Sequence, residues 1–202
     1  MSSAYVEHGR RRQKSRTYDA LVSAARDLVT AGQAPTVEEA ALAAGVSRTT
    51  AYRYFANQRD LLTAAHPETV APTLLTGDDS DDPAARLAVV VTAFTDLIAS
   101  TEAQQRTMLR LSLTVGTTEG ALPLRQGRAI GWYADALTPL ANQFSAEQVH
   151  ALVLAVRSVT GIEARVWLTD VAGLDSPATS ALQNWAALAL LRAAVDNPPP
   201  GP

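Results

Sequence analysis

The stretch that decides the fold is "TVEEAALAAGVSRTTAYRYF", residues 36–55. Thr36 and Glu39 form a capping-box pattern, in which a hydroxyl and a carboxylate satisfy the free amides at a helix start. The helix that follows should end just before Gly45, because glycine suits the left-handed conformation found after many helices. Ser47 is a good N-cap for a second helix. The stretch therefore predicts two short helices joined by a tight turn.

The second of these helices has two chemically different sides. Val46, Ala51 and Phe55 fall on one side and can pack inward with Ala40 and Ala41. The other side carries arginines, tyrosines and hydroxyl residues. This pattern is typical of a helix-turn-helix, whose second helix enters the major groove of DNA. Arginines there suit guanine or phosphate, and hydroxyls suit phosphate or base edges.

The neighbouring segments extend this unit into a small helical domain. Apolar residues recur at three- and four-residue spacing from about Arg16 to Ala31, which predicts a helix before the capping box. Asn57 is placed to cap a further helix, and Pro67 is placed to end it. We therefore predict a helical DNA-binding domain over residues 16–66.

The composition is that of a globular protein. The chain has 202 residues, of which 47% are hydrophobic and 18% charged, enough for one ordinary domain or two small ones. It contains no cysteine, which excludes disulfides and thiol nucleophiles. No apolar run approaches the roughly 18 residues of a membrane span, and the N-terminus lacks the apolar core of a signal peptide. We therefore expect a cytoplasmic protein without membrane contact.

Charge is distributed unevenly along the chain. Residues 1–60 carry 9 basic and 6 acidic side chains, while the remaining residues carry 8 and 14. A basic first segment on an acidic body indicates that the first segment meets a polyanion. A basic cluster lies near the N-terminus, in or beside residues 1–15, where it is either a flexible arm that reaches DNA or a solvated tail. This cluster consists of Arg10, Arg11, Arg12, Lys14 and Arg16.

The rest of the chain also reads as helical. Residues 67–82 form an acidic linker, and Asp82 followed by Pro83 is a typical helix start. No alternating pattern predicts a strand, so we predict an all-α protein. The candidate helices cover residues 83–100, 102–115, 124–141, 145–170 and 176–197, and residues 198–202 form a tail.

At this point the sequence resembles a known family. The stretch "TVEEAALAAGVSRTTAYRYFANQRDLL", with "DALVSAARDLV" before it, is similar to the DNA-binding domain of TetR-family transcriptional regulators. The similarity covers about Arg16 to Leu62. It implies a three-helix DNA-binding domain and a larger helical domain over residues 83–197 for effector binding and dimerisation. It also implies a homodimer on a palindromic operator in double-stranded DNA, and many members are repressors released by a small molecule.

The residue pattern and the resemblance together predict the DNA contacts. By position in the family, Thr36 contacts a phosphate and Phe55 is the buried aromatic. Tyr54 stands where the family often has a phosphate-binding histidine, and Gln58 where a phosphate-binding lysine is common. The predicted DNA-contacting residues are Thr36, Ser47, Arg48, Thr49, Thr50, Tyr52, Arg53, Tyr54 and Gln58.

The last two candidate helices, about 145–170 and 176–197, are predicted to form a dimer interface. Two such helices from each subunit can make a four-helix bundle. The alternative is that their apolar faces are buried within one chain. The residues of these faces are Leu152, Val156, Val159 and Ile162 on the first helix, and Leu182, Trp185, Leu188 and Leu191 on the second.

A pocket for a small-molecule effector is predicted in the same domain. Polarisable or polar residues within aliphatic helices favour a ligand site, although core packing explains each of them singly. Arg157 needs a partner, which Glu163, another subunit or an acidic ligand could supply. The candidate pocket residues are Phe94, Met108, Trp132, Tyr133, His150, Arg157 and Trp167.

Two other classes of function remain open. An all-helical enzyme using dispersed polar residues is one, and a helical adaptor is the other. The sequence has no GxSxG, P-loop or HExxH motif, and His8, His66 and His150 are widely spaced. We therefore expect no catalytic site, cofactor or metal. Sequence-specific DNA binding would distinguish a regulator from both alternatives.

Overall fold

The structure, a computed structural model, describes residues 3–66, 73–75, 80–114 and 127–201, with side chains from residue 13 onward except that of Thr114. Within these ranges all regular structure is helical, which confirms the all-α prediction. The chain divides into two compact units. The first unit comprises Met1–Thr69 and Ala103–Gln126, and the second comprises Val70–Glu102 and Gly127–Pro202.

The helices are named here in chain order, together with two short irregular segments. A 3-10 turn (Thr138–Asn142) precedes α8, and a π-helical segment (Trp167–Val171) follows α9. The α-helices are α1 (Ser3–Thr30), α2 (Val37–Ala43), α3 (Arg48–Tyr52), α4 (Gln58–Ala65), α5 (Pro83–Ser100), α6 (Glu102–Thr114), α7 (Arg128–Ala136), α8 (Ala146–Thr160), α9 (Ile162–Val166) and α10 (Ser176–Asp196).

The first four helices enclose the core of the first unit. The predicted inward residues of the helix-turn-helix all take part, with Val46 half-buried at the edge, so this prediction is confirmed. Burying such apolar surface is the main favourable term in folding. The core consists of Leu21, Val22 and Ala25 from α1, Val37, Ala40 and Ala41 from α2, Ala51 from α3, Phe55 from the segment after α3, and Leu61 and Ala65 from α4.

Helix α6 from Ala103 onward packs on this first unit. Met108 is buried with Val29 and Leu62, and Arg110 donates a hydrogen bond to the carbonyl of Gly32 at 2.7 Å. The sequence predicts that the residues of α6 belong to the domain over 83–197. The observed units differ at this helix, because its apolar contacts are with α1 and α4.

Helix α1 begins at Ser3, whereas the sequence predicts a helix only from Arg16 and an arm over residues 1–15. The backbone therefore continues as helix through most of the basic segment. Arginine, lysine, glutamine and alanine are good helix formers, and the segment has no proline to interrupt the hydrogen bonds.

In the second unit α10 packs against α5 and α8, and α7 packs between α5 and α8. Helix α5 begins as predicted: Asp82 accepts hydrogen bonds from the amides of Ala84 and Ala85, and Pro83 takes the first helical position. The core of this unit includes Leu87, Val90, Val91, Phe94 and Ile98 from α5, Trp132, Tyr133 and Ala136 from α7, Leu152, Val153 and Val156 from α8, and Ala187 and Leu191 from α10.

The prediction of one helix over 145–170 is wrong, because the helix is interrupted at Gly161. This residue has an extended backbone (φ −77°, ψ 175°) between α8 and α9. A side chain there would overlap the guanidinium of Arg157 and the carboxylate of Glu163. Glycine therefore lets these two groups lie close across the break.

The predicted helix over 124–141 is also interrupted, and its first residues lie outside the described part of the chain. Helix α7 starts after Gly127, which has a left-handed backbone (φ 64°). It ends at Ala136, and a 3-10 turn containing Pro139 follows after Leu137. Proline has no N–H to continue the helical hydrogen bonds.

Among the described helices, α5 alone is long and apolar enough to cross a membrane, judged by length and composition. The sequence analysis found no such segment because Arg86 and Asp96 interrupt its apolar runs. Core helices of water-soluble proteins meet the same criterion, and α5 packs against α7 and α10.

Candidate nucleic-acid interface

The turn between α2 and α3 has the predicted geometry. The Thr36 hydroxyl accepts from the amide of Glu39, whose carboxylate accepts from the amide of Thr36 at 2.7 Å, so the capping box is complete. The Glu39 carboxylate accepts hydrogen bonds from the Thr36 amide and also from the Thr36 hydroxyl. The bond from the amide, followed by the bond from the hydroxyl, lowers the pKa of Glu39. Gly45 has φ 65°, as predicted for the end of α2. Ser47 then caps α3 by accepting from the amide of Thr50.

Helix α3 presents a buried side and an exposed side. Ala51 is fully buried, and Phe55 beyond the helix end is 3% exposed. On the opposite side Arg48, Thr49 and Arg53 are exposed, and 41% of Tyr52 is exposed. The backbone of α3 is thereby fixed to the core while its polar side chains stay accessible.

Two of these exposed residues share an acceptor on α2. The Glu38 carboxylate oxygen Oε1 lies 2.7 Å from Arg48 Nη2 and accepts a hydrogen bond from the Tyr52 hydroxyl at 3.1 Å. The Arg48 guanidinium also lies 5.7 Å from the centre of the Tyr52 ring, within cation–π range. The pair is open to solvent, since the side chains of Arg48 and Glu38 are 72% and 43% exposed.

The predicted hydroxyl contacts are partly committed to capping. The Ser47 hydroxyl donates to the Thr50 hydroxyl at 2.8 Å, and Thr50 is half-buried. The Thr36 hydroxyl donates to Glu39 at 2.9 Å. Thr49 is exposed, and no hydrogen bond of its side chain is described. Of the hydroxyls of Thr36, Ser47, Thr49 and Thr50, that of Thr49 therefore has the fewest described hydrogen bonds within the protein.

Tyr54 and Gln58 each contact another part of the first unit. Tyr54 is half-buried, with its ring centre 6.5 Å from that of Tyr18. The Gln58 amide donates to the carbonyl oxygens of Ala34 and Pro35, at 2.7 and 3.1 Å. Gln58 thus ties the start of α4 to the loop before α2.

The basic cluster near the N-terminus is described only in part. Lys14 and Arg16 are exposed on α1. The side chains of Arg10, Arg11 and Arg12 lie outside the described part of the chain. Lys14 and Tyr18 line a shallow groove of about 280 Å³ with Tyr54.

In the second unit four of the seven candidate pocket residues come together. Phe94 has the rings of Trp132 and Tyr133 within 6.0 and 5.8 Å, and the Arg157 guanidinium 5.4 Å from its own ring centre. Tyr133 and Thr160 share a hydrogen bond of 2.8 Å between their hydroxyls. We call Phe94, Trp132, Tyr133 and Arg157 the aromatic cluster.

Arg157 has one of the partners that the sequence predicted. Its Nη1 lies 3.3 Å from Glu163 Oε2, and its side chain is 15% exposed. The other three candidates lie elsewhere: Met108 is buried in the first unit, while His150 is exposed on α8 and Trp167 is 58% exposed.

The predicted dimer faces divide between core and surface. Leu152, Val156, Ile162 and Leu191 are buried within the chain, so the alternative of internal packing holds for them. A second set of large apolar residues in the same unit is exposed. This set comprises Leu154, Trp167, Val171, Leu182, Trp185 and Val195.

Sequence reasoning missed Glu38 and Arg165. Arg165 is 1% exposed, with Nε 2.7 Å from Glu102 and Nη2 2.6 Å from the Ser176 hydroxyl. Both residues meet partners 10 or more positions away, and a helix pattern does not say which distant residue a side chain contacts. A charged residue adjoining a capping box was the available signal for Glu38.

Comparison with known proteins supports the fold. No protein-family model matches the chain, and no curated protein matches its sequence. A TetR transcriptional regulator from Rhodococcus sp. RHA1 has a similar structure, with a TM-score of 0.61 and 19% identity. The match covers 90% of this chain and 98% of that one. The chain thus has the fold of a TetR regulator, and the resemblance seen in the sequence is confirmed at the level of fold.

Proposed function

We propose that this protein is a sequence-specific DNA-binding transcriptional regulator. The observation that carries the proposal is the exposed side of α3, which presents Arg48, Thr49, Tyr52 and the adjoining Arg53 while the buried Ala51 and the Ser47 N-cap fix the helix. Arginine can donate two hydrogen bonds to guanine, and threonine and tyrosine can contact phosphates or the thymine methyl. A short rigid helix that presents these groups fits a major groove.

The protein binds DNA as a homodimer in this proposal. One helix-turn-helix makes few base contacts, whereas two placed about 34–36 Å apart reach successive major grooves of a palindromic operator. The exposed apolar residues of the second unit, with Leu182 and Trp185 on α10, supply a surface for a second copy of the chain. Tryptophan and leucine exposed together are typical of surfaces that become buried on association.

We further propose that the protein is a repressor released by a small molecule. The aromatic cluster places three rings beside the charge of Arg157, a combination that suits an aromatic or acidic effector. Effector binding would change the spacing of the two recognition helices. A typical coupling of about 1–3 kcal/mol would reduce operator affinity roughly 5- to 150-fold.

The proposal is tested by selecting bound sequences from a random duplex pool with the purified protein. We expect enrichment of a pseudo-palindrome, which Arg48→Ala and Arg53→Ala weaken. Arg128→Ala on α7 removes the same charge away from α3 and serves as the matched control. Circular dichroism of each variant establishes that it is folded. If no sequence is enriched at low salt, where phosphate binding is strongest, the proposal is wrong.

A further inference from the structure

Among the described residues, the carboxylate that contacts the exposed side of α3 is that of Glu38. A negative charge at such a position repels phosphate, so a purely affinity-driven surface would not include it. We propose that Glu38 is a specificity-determining residue that makes Arg48 available to a base edge but not to nonspecific DNA. This inference rests on the proposed function of α3.

One carboxylate oxygen of Glu38 contacts both Arg48 and Tyr52. Glu38 Oε1 meets Arg48 Nη2 at 2.7 Å and the Tyr52 hydroxyl at 3.1 Å. Glu38 comes from α2, and the other two come from α3. The two helices are fixed to each other by the buried Ala40 and Ala51, so the carboxylate stays beside the recognition helix.

The ion pair leaves Arg48 able to contact a guanine. A guanidinium carries five N–H donors on three nitrogens, and the 2.7 Å contact with Glu38 involves one of these nitrogens, Nη2. The remaining N–H groups can donate to guanine O6 and N7 while the pair stays closed. The pair also restricts the rotamers of Arg48, so less conformational entropy is lost when the base is bound.

On nonspecific DNA the same pair is unfavourable. While it is closed, the charge of Arg48 is compensated and releases no counterion from the phosphates. If it opens, Glu38 stands uncompensated beside the DNA. Arg53, also exposed on this side, has no ion pair within the part of the chain that the structure describes. Besides contacting a base edge, Arg53 can therefore contribute its charge on nonspecific DNA, whereas Arg48 contributes only where a base edge accepts its hydrogen bonds.

The test is Glu38→Gln, which removes the charge and keeps the shape. Binding is measured by fluorescence anisotropy against salt, on the duplex selected by the wild type and on a scrambled duplex. We expect scrambled-duplex affinity to rise about three- to fivefold. Its plot of log K against log salt should steepen by about 0.9, the value for one added phosphate contact. Affinity for the selected duplex should stay within about twofold, so selectivity falls.

Two control variants separate this role from a general charge effect. Asp27→Asn makes the same charge change at an exposed position of α1, and it should leave selectivity unchanged. In an Arg48→Ala background, Glu38→Gln should no longer steepen the salt dependence, because Glu38 acts through Arg48.

Three outcomes would overturn the inference. In the first, Glu38→Gln raises the affinity for both duplexes equally, as a general charge effect does. In the second, the scrambled duplex shows no change in affinity or salt dependence. In the third, the effect persists without Arg48. A wild-type protein that binds no duplex would remove the proposed function itself, and that failure is seen before any variant is made.

Discussion

The two candidate sites use the same three chemical groups in opposite environments. In the first unit Arg48 pairs with Glu38 at 2.7 Å and lies 5.7 Å from the Tyr52 ring. In the second unit Arg157 pairs with Glu163 at 3.3 Å and lies 5.4 Å from the Phe94 ring. The two arginine side chains are 72% and 15% exposed.

This difference in burial decides what each group can do. An exposed ion pair contributes about 0–1 kcal/mol, and the other N–H groups of its arginine can still take a second partner. The Arg157 side chain is only 15% exposed, so removing Glu163 would leave a largely buried charge without this partner and would cost more free energy. The group on α3 is therefore accessible to a partner from solvent, while the group around Phe94 stabilises the fold.

The largest difference is expected when the aromatic member of each group is removed. Phe94→Ala should lower the free energy of unfolding by about 3–5 kcal/mol, because Phe94 is fully buried. Tyr52→Ala should lower it by less than about 0.5 kcal/mol, because surface substitutions are usually nearly neutral. Urea denaturation followed by circular dichroism measures both. Equal losses would contradict the contrast in burial.

A smaller effect is expected from two glycine substitutions in the second unit. Gly161→Ala should destabilise by about 0.5–1.5 kcal/mol, because the new methyl group forces the flexible ends of Arg157 and Glu163 into less favourable rotamers. Gly131→Ala in α7 meets nothing within 4 Å and is the matched control. It should stabilise by about 0.4–1 kcal/mol, since alanine is the better helix former. The melting temperatures from thermal denaturation should therefore shift in opposite directions. A shift of both variants in the same direction would contradict the expected difference between the two glycines.

Substitution of Gln58 distinguishes a role in stabilising the first unit from a role in DNA contact. Gln58→Ala should lower the free energy of unfolding by about 1 kcal/mol, because the amide donates to Ala34 and Pro35. It should leave the salt dependence of DNA binding unchanged. A salt slope that becomes shallower by about 0.9 would instead show that Gln58 contacts a phosphate.

The smallest expected effect is a pH dependence from the capping box. The pKa of Glu39 is lowered from its ordinary value of 4.5 in the folded protein. Its contribution is therefore present above that ordinary value and is lost as the pH falls through the lower folded pKa. Unfolding free energies measured between about pH 3 and 6 should rise less steeply with pH in Glu39→Gln than in the wild type. If the plots of unfolding free energy against pH were parallel for the wild type and Glu39→Gln, the capping box would make no pH-dependent contribution to stability.

The helix-turn-helix could be predicted from sequence because short-range signals specify it. Thr36 with Glu39, Gly45 and Ser47 act within four residues of their partners, and all take the predicted conformation. Gln58 shows the limit of such signals. Its position predicts a DNA contact, which stays a prediction, but gives no sign of the hydrogen bonds that its amide donates to carbonyls more than 20 residues away.

The second unit was harder to predict because its contacts join distant parts of the chain. Phe94 meets residues of α7 and α8, about 40 to 60 positions away by number. Helical periodicity identified apolar residues but not which would be exposed, so Leu152 and Leu182 received the same prediction and differ in burial. The break at Gly161 was missed because the flanking sequence continues a helical pattern.

The central claim is that α3 reads bases through its exposed arginines. The most direct measurement is the affinity of wild type and Arg53→Ala for the selected duplex and for its single base-pair variants. We predict that wild type loses about 1–3 kcal/mol at each contacted base pair, and that Arg53→Ala loses this discrimination at one base pair per half-site while retaining the others. A uniform loss of affinity with discrimination unchanged everywhere would mean that Arg53 contacts only the backbone and would contradict base reading by this residue.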